Sequence, residues 1–186
     1  MSVNRFKIAV LGGSFNPPHI GHMQISNYCL DILNFDKIIL VPSFDHPYGK
    51  TNADFDLRIK WLEIMFSKSL IDERLEISRI EEEMDGPGYT YLLLLKLKES
   101  LPENTELFFV VGDDLEDDVI NWHEGKKLLD EFKFVFLPRS KESLFSSISS
   151  SQIRSFMKNE GTQTRALPYL GKELYENYLK NFKAEN

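Results

Sequence analysis

The residues with the clearest capacity for chemistry lie in the segment GGSFNPPHIGH, residues 12–22. Gly12 and Gly13 end a short apolar run, and glycines let bare backbone N–H groups approach an anion. His19 and His22 are three residues apart, so both imidazoles share one face at the start of a helix, where the helix dipole favours phosphate. Imidazoles placed there can donate hydrogen bonds to phosphate oxygens or stabilise charge during phosphoryl transfer.

Two other interpretations of this segment are weaker. A glycine–proline loop with incidental histidines does not explain why His19 and His22 directly follow a buried strand and a Gly-Gly turn. A zinc site usually takes a helical pair of histidines at i, i+4 together with a further ligand. The sequence offers no convincing third ligand, so no metal site is predicted.

A second candidate segment is ISSSQIR, residues 148–154. Ser149, Ser150 or Ser151 could cap a helix there, and Ser150 and Ser151 would present hydroxyl and backbone donors at its positive end. Arg154 lies one turn further on and can form bidentate hydrogen bonds to phosphate. The alternative is an ordinary serine cap followed by a solvent-facing arginine.

Other candidates follow predicted strands. Asp114 comes directly after the apolar run LFFVV and could accept hydrogen bonds from ribose hydroxyls. Trp122 offers a flat face for stacking on a ligand ring, with packing in the core as the alternative. Lys50, in the loop after the second strand, could meet a phosphate as a point charge. The role of His46 in that loop stays open, and the acidic residues after Asp114 are interpreted as solvated charge.

The elements that would position these residues alternate along the chain. Near-continuous apolar runs at 6–11, 37–41, 107–111 and 134–137 predict buried parallel strands, and the alternating segment 75–80 predicts an edge strand. Helical patterns cover 20–33, 55–66, 90–101, 122–132, a segment after 149, and 167–182. The sequence thus predicts an α/β fold: one Rossmann-like, doubly wound parallel sheet with C-terminal helices, forming a single domain over 1–186. Ligands of such folds bind beyond the carboxyl ends of the strands.

Composition restricts the classes of protein that remain. The chain has 186 residues and a formal net charge of −7, which is poorly suited to binding a nucleic-acid backbone. Its single cysteine, Cys29, excludes an internal disulfide framework and is expected to be buried. No apolar run reaches the roughly 18 residues of a membrane span, and no signal peptide is recognisable. We therefore expect a cytoplasmic protein without nucleic-acid or membrane partners.

At this point the sequence resembles a known family. SFNPPHIGH is similar to the (T/S)-x-x-H-x-G-H signature of the nucleotidylyltransferase superfamily, with a longer gap before the first histidine, and ISSSQIR resembles a second motif of that superfamily. The Tyr89-Thr90 helix start and the spacing of Gly112, Asp114 and Trp122 resemble those of nicotinate mononucleotide adenylyltransferases. The chain departs from the family at Asn16, where Asp is usual, and at HPYGK, where Pro-Pro-His-Lys is common.

The resemblance extends over nearly the whole chain and implies transfer of an adenylyl group from ATP to nicotinate or nicotinamide mononucleotide by direct in-line displacement. It implies Mg²⁺ bound mainly through the ATP phosphates, and leaves a homo-oligomer possible. The alternatives are another adenylyltransferase, such as the phosphopantetheine enzyme, and a non-catalytic nucleotide-binding protein. By resemblance, the catalytic residues are His19, His22 and Arg154. The ATP-binding residues are Gly12, Gly13, Ser14, Phe15, His19, His22, Gly112, Asp114, Ser150, Ser151 and Arg154. The acceptor-binding residues are Asn16, Lys50, Tyr89, Thr90 and Trp122.

Overall fold

A five-stranded parallel sheet forms the centre of the computed structural model, which describes residues 5–44, 52–138, 145–159 and 161–185. The strands are β1 (Phe6–Gly13), β2 (Lys37–Pro42), β3 (Leu75–Ile77), β4 (Thr105–Gly112) and β5 (Lys133–Leu137). Their order is β3-β2-β1-β4-β5, with every pairing parallel. The doubly wound fold predicted from the apolar runs is therefore confirmed, with β3 at an edge. The order reverses between β1 and β4, where such folds form a crevice.

Helices cover both faces of the sheet. They are α1 (Ile20–Asp31), α2 (Phe55–Ile71), α3 (Thr90–Ser100), α4 (Gly125–Glu131), α5 (Ser150–Lys158), α6 (Leu167–Leu170) and α7 (Lys172–Glu185). Because side chains alternate along a strand, Ile8 and Val10 of β1 pack with α3 and α4, while Ala9 and Leu11 pack with α1 and α2. Cys29 is buried on the second face, as predicted, and burial raises the pKa of its thiol to about 12.

The C-terminal helices form a third cluster against α2. Trp61 of α2 is 2% exposed there, with its ring edge-on to Tyr178 of α7, so its predicted place in the core is confirmed. The prediction of one continuous helix over 167–182 is wrong. Gly171 adopts φ 75 and separates α6 from α7, because a left-handed residue ends a helix and glycine takes that conformation without a steric penalty.

A second correction concerns the segment after β4. A helix over 122–132 is predicted from the sequence, but α4 begins only at Gly125. Glu124 is left-handed, with φ 55, and a Cβ at Gly125 would overlap the backbone carbonyls of Val119 and Ile120. The chain therefore turns tightly before the helix, and Trp122 lies in that turn, directly after the short 3₁₀ helix Val119–Asn121.

None of the helices in the described ranges is both long and apolar enough to cross a membrane.

Candidate active site

A cavity of about 540 Å³ lies in the crevice between β1 and β4. Its walls come from the carboxyl ends of those two strands, the first turn of α1 and the first turn of α5. Ten of the eleven residues predicted to bind ATP line it. They are Gly12, Gly13, Ser14, Phe15, His19, His22, Gly112, Ser150, Ser151 and Arg154. The fold thus brings together two motifs that are more than a hundred residues apart in the sequence.

A buried arginine holds the loop after β1 through a hydrogen bond to its backbone. Arg58 of α2 is 1% exposed, and its guanidinium donates to the carbonyl oxygen of Ser14 at 2.8 Å. Burial lowers the pKa of Arg58, while the charges of Asp54 and Glu81 oppose that shift. Phe15, the next loop residue, has φ 47 and buries its ring 4.8 Å from that of His22. The loop backbone is therefore fixed before any ligand arrives.

The two histidines lie side by side at the start of α1. His19 is the N-cap residue, and its ring centroid is 3.8 Å from that of His22, so the predicted shared face is confirmed. The backbone N–H of His19 donates to Nδ1 of His22 at 3.1 Å. Because Nδ1 accepts this bond, the neutral His22 ring carries its proton on Nε2. His22 therefore offers an N–H donor to a ligand in the cavity that it lines.

Gly21, between the two histidines, has a steric reason to be glycine. A Cβ there would lie 3.0 Å from Nδ1 of His19 and 3.3 Å from the carbonyl oxygen of Ser146. We expect Gly21→Ala to displace the His19 ring by a few tenths of an ångström and to lower kcat about tenfold, since catalysis is sensitive to such displacements. Steady-state kinetics alongside thermal melting would check this. Full turnover at an unchanged melting temperature would contradict it.

The first turn of α5 is tied to the loop after β1. Ser149, one of the three candidate caps, is the N-cap residue, and it exchanges hydrogen bonds with Gln152. The hydroxyl of Ser150 donates to the carbonyl oxygen of Pro17 at 2.8 Å. Arg154 donates to the carbonyl oxygen of Asn16 at 2.6 Å and to the hydroxyl of Ser151 at 2.9 Å. These bonds hold the Arg154 guanidinium at the cavity wall.

Asp114 and the described residues predicted to bind the acceptor, Asn16, Tyr89, Thr90 and Trp122, do not line this cavity. Asp114 is exposed in a one-turn 3₁₀ helix directly after β4. The Asn16 side chain is buried and donates to Asn52 at 3.2 Å. Tyr89 and Thr90 begin α3. Lys50 and His46 lie outside the described residues.

Trp122 is neither fully packed in the core nor fully exposed for stacking on a ligand. The ring is half-buried and lies edge-on to Phe109 of β4, with centroids 6.4 Å apart, and its Nε1 donates to Asp118 at 3.3 Å. Phe109 also limits space at Gly12, where a Cβ would lie 3.2 Å from its ring. Phe109 therefore lies against both Gly12, at the end of β1, and Trp122.

Several residues that line the cavity or contact a predicted site residue have little or no signal in the sequence. His123 stacks on Tyr89 with ring centroids 4.1 Å apart and planes at 16°. The segment 145–147, directly before ISSSQIR, lines the cavity, and the Ser146 N–H donates to Gln24 of α1 at 2.7 Å. The only sequence signal for this segment is a mild serine bias, which does not specify a wall of a cavity.

Comparison with known proteins identifies the family. A family model described as cytidylyltransferase-like matches residues 10–156. A Fusobacterium nucleatum protein named a probable nicotinate-nucleotide adenylyltransferase is 34% identical over 174 residues, covering 83% of this chain and 89% of that protein. This chain belongs to the nicotinate-nucleotide adenylyltransferase family of cytidylyltransferase-like proteins. The resemblance noted from the sequence motifs is thereby confirmed.

Two further comparisons are consistent with the family. A Pseudothermotoga lettingae protein of the same name is 38% identical over 134 residues, covering 72% of this chain and 65% of that protein's length. The solved structure of Plasmodium falciparum nicotinic acid mononucleotide adenylyltransferase complexed with NaAD matches at a TM-score of 0.79 and 24% identity, covering 94% of this chain and 95% of that chain. At that identity the structural match shows only that the two proteins share a fold.

Proposed function

We propose that the protein transfers the adenylyl group of ATP to nicotinate mononucleotide, releasing pyrophosphate and forming the dinucleotide used in NAD biosynthesis. The observation that carries this proposal is the pair of closely packed histidines at a helix start, which lines a cavity of nucleotide size together with Arg154. Family membership supplies the class of reaction. The names of the relatives favour the nicotinate over the nicotinamide form of the acceptor.

The reaction proceeds by in-line displacement. An oxygen of the acceptor's phosphate forms a bond to the α-phosphorus of ATP, and the bond from that phosphorus to the α–β bridging oxygen breaks. The bridging oxygen keeps the electron pair and leaves with pyrophosphate, so no covalent enzyme intermediate is needed. Catalysis then consists of positioning the two phosphates and stabilising the charge that develops on their oxygens.

Different residues of the cavity bind different phosphates of ATP. The Nε2–H of His22 donates to an α-phosphate oxygen, with His19 packed against its ring. Arg154 meets the β- and γ-phosphates, exchanging its bond to the Asn16 carbonyl for charge-assisted bonds to phosphate. The first N–H groups of α5, next to Ser150 and Ser151, add donors at a positive helix end.

We further propose that Mg²⁺ accompanies ATP, held chiefly by phosphate oxygens and water. The cavity suits an ion held in this way, because the described lining residues provide hydroxyl groups and no carboxylate. No three His, Cys, Asp or Glu side chains in the described ranges form a metal-binding group. Bound Mg²⁺ neutralises negative charge on the triphosphate.

The activity test is pyrophosphate release from ATP and Mg²⁺ with a panel of acceptors. We expect rapid release with nicotinate mononucleotide, slower release with nicotinamide mononucleotide, none with phosphopantetheine, and a dinucleotide product identified by mass spectrometry. Faster turnover of phosphopantetheine would show that the protein is a different adenylyltransferase. Binding of ATP without turnover of any acceptor would favour a non-catalytic nucleotide-binding role.

Trp122 is expected to stack on the pyridine ring of the acceptor. Trp122→Ala should weaken binding of the mononucleotide by roughly 1–3 kcal/mol, in the range of base–aromatic stacking, with ATP affinity nearly unchanged. Trp122→Phe should recover part of the loss, since a smaller aromatic face remains. Because Trp122 also packs on Phe109, melting temperatures should be measured on the same samples.

Intrinsic fluorescence tests the same prediction directly. The chain has two tryptophans, and Trp61 is buried among the C-terminal helices. Nicotinate mononucleotide should quench emission in the parent and in Trp61→Phe, but not in Trp122→Phe. Quenching that survives the loss of Trp122 would show that the ring binds elsewhere.

A further inference from the structure

Glu81 is a buried carboxyl with no part in the proposed chemistry. It is 7% exposed, in the short 3₁₀ helix Ile80–Glu83 between β3 and α3. One of its oxygens accepts a hydrogen bond from the backbone N–H of Phe44 at 2.9 Å. Burial raises the pKa of Glu81 to about 7, against the opposing effects of the Phe44 N–H and the charge of Arg58. Burying a carboxyl group costs free energy, so the position of Glu81 in the fold needs a reason.

The same carboxyl group fills the space beside Gly88. A Cβ on Gly88 would overlap all three atoms of the Glu81 carboxyl group. Gly88 directly precedes Tyr89, which is the N-cap residue of α3 and stacks on His123. The position of Glu81 and the course of the chain into Tyr89 are therefore mutually dependent.

Arg58 interacts with Glu81 only through its charge, and its own hydrogen bonds go to two backbone carbonyls. Its Nε donates to the carbonyl oxygen of Ala53 at 2.8 Å, and another of its nitrogens donates to that of Ser14 at the same distance. Phe44 and Phe55 lie edge-on, with centroids 5.0 Å apart, and Arg58 lies over the Phe55 ring. Glu81 thus holds the backbone at Phe44, and Arg58 holds it at Ala53.

We propose that Glu81 is a positioning residue for the acceptor, because its carboxyl holds both the Phe44 backbone and the Gly88–Tyr89 segment. Binding of nicotinate mononucleotide then depends on Glu81, whereas ATP binding does not, because Glu81, Phe44 and Tyr89 are not among the residues that line the cavity. This inference rests on the proposed function for its kinetic readout. Nothing in it requires Glu81 to touch either substrate.

The first test compares three variants by steady-state kinetics. Glu81→Ala should raise the KM for nicotinate mononucleotide about tenfold, the scale of one lost hydrogen bond, because Phe44 and the Gly88–Tyr89 segment lose the group that holds them; kcat and the KM for ATP should change much less. Glu81→Gln should stay close to the parent, because its amide oxygen can still accept from the Phe44 N–H. Glu83→Ala is the matched control, since Glu83 is exposed on the same turn. Equal rises of both KM values, or an unchanged acceptor KM, in Glu81→Ala would overturn the proposal.

A second test uses the steric contact with Gly88. Gly88→Ala should push the Glu81 carboxyl aside and raise the acceptor KM as Glu81→Ala does. In the Glu81→Ala background the new methyl group has room, so the double variant should be little worse than Glu81→Ala alone. Additive effects would mean that the two residues act separately, and the proposal would fail.

A third measurement separates this proposal from the proposed function. Exchange of the Phe44 amide hydrogen, followed by NMR, should be faster in Glu81→Ala than in Glu81→Gln, whether or not the protein turns over substrate. If the parent transfers no adenylyl group, the proposed function fails. Calorimetric titration with nicotinate mononucleotide then decides: weaker binding to Glu81→Ala than to the parent supports the positioning role, and equal or absent binding in both overturns it.

Discussion

His22→Ala is expected to lower kcat by at least ~100-fold, the scale of losing a positioned donor to a developing negative charge. The reason is the Nε2–H of His22, whose tautomer is assigned by the bond that Nδ1 accepts from the His19 backbone. That bond also caps the first turn of α1, so the variant should lose about 1 kcal/mol of stability as well. Steady-state kinetics and thermal melting on the same sample measure the two effects.

Two variants distinguish the role of His22 in capping α1 from its role as a hydrogen-bond donor to phosphate. His22→Asn places an amide oxygen near the position of Nδ1, so it should keep the cap and the melting temperature but lose the turnover. His22→Gln places an amide N–H near the position of Nε2, so it should be less stable than His22→Asn and recover part of the turnover. If His22→Asn retained near-normal kcat, the histidine pair would not be the catalytic centre.

The fold was predictable because four of the five described strands contain a continuous apolar run. Parallel strands covered on both faces need such runs, and β1, β2, β4 and β5 each contain one. The errors in the predicted helices 122–132 and 167–182 share a cause. Glu124 and Gly171 are left-handed, and a single left-handed residue ends a helix without changing the apolar pattern around it.

The candidate site was predictable only where it is local in the sequence. The distance of three residues between His19 and His22, and the helix start before Arg154, follow from spacing alone. The contacts that support the site do not. Arg58 reaches Ser14 across 44 residues of sequence, and Glu81 reaches Phe44 across 37. No periodic pattern predicts which buried charge will hold which backbone group, because that depends on how distant elements pack.

Arg154→Ala is expected to lower kcat/KM for ATP about 100-fold or more, since two charge-assisted bonds to phosphate oxygens are each worth at least ~1.5 kcal/mol. Most of the loss should appear in the KM for ATP, with a smaller fall in kcat and little change in the KM for the acceptor. In the structure, Arg154 bonds the Asn16 carbonyl and the Ser151 hydroxyl, so its removal also loosens the contact between α5 and the loop after β1.

Two further variants test whether the lost ATP affinity comes from the Arg154 guanidinium itself. Arg154→Lys keeps the positive charge but loses the planar pair of donors, so it should recover only part of the ATP affinity. Ser150→Ala removes the other bond from α5 to the loop, the one to Pro17, and leaves the Arg154 guanidinium in place. If Ser150→Ala weakened ATP binding as much as Arg154→Ala, the first turn of α5 as a whole, and not the Arg154 guanidinium in particular, would account for the loss. A rise in the acceptor KM alone would assign ISSSQIR to the other substrate.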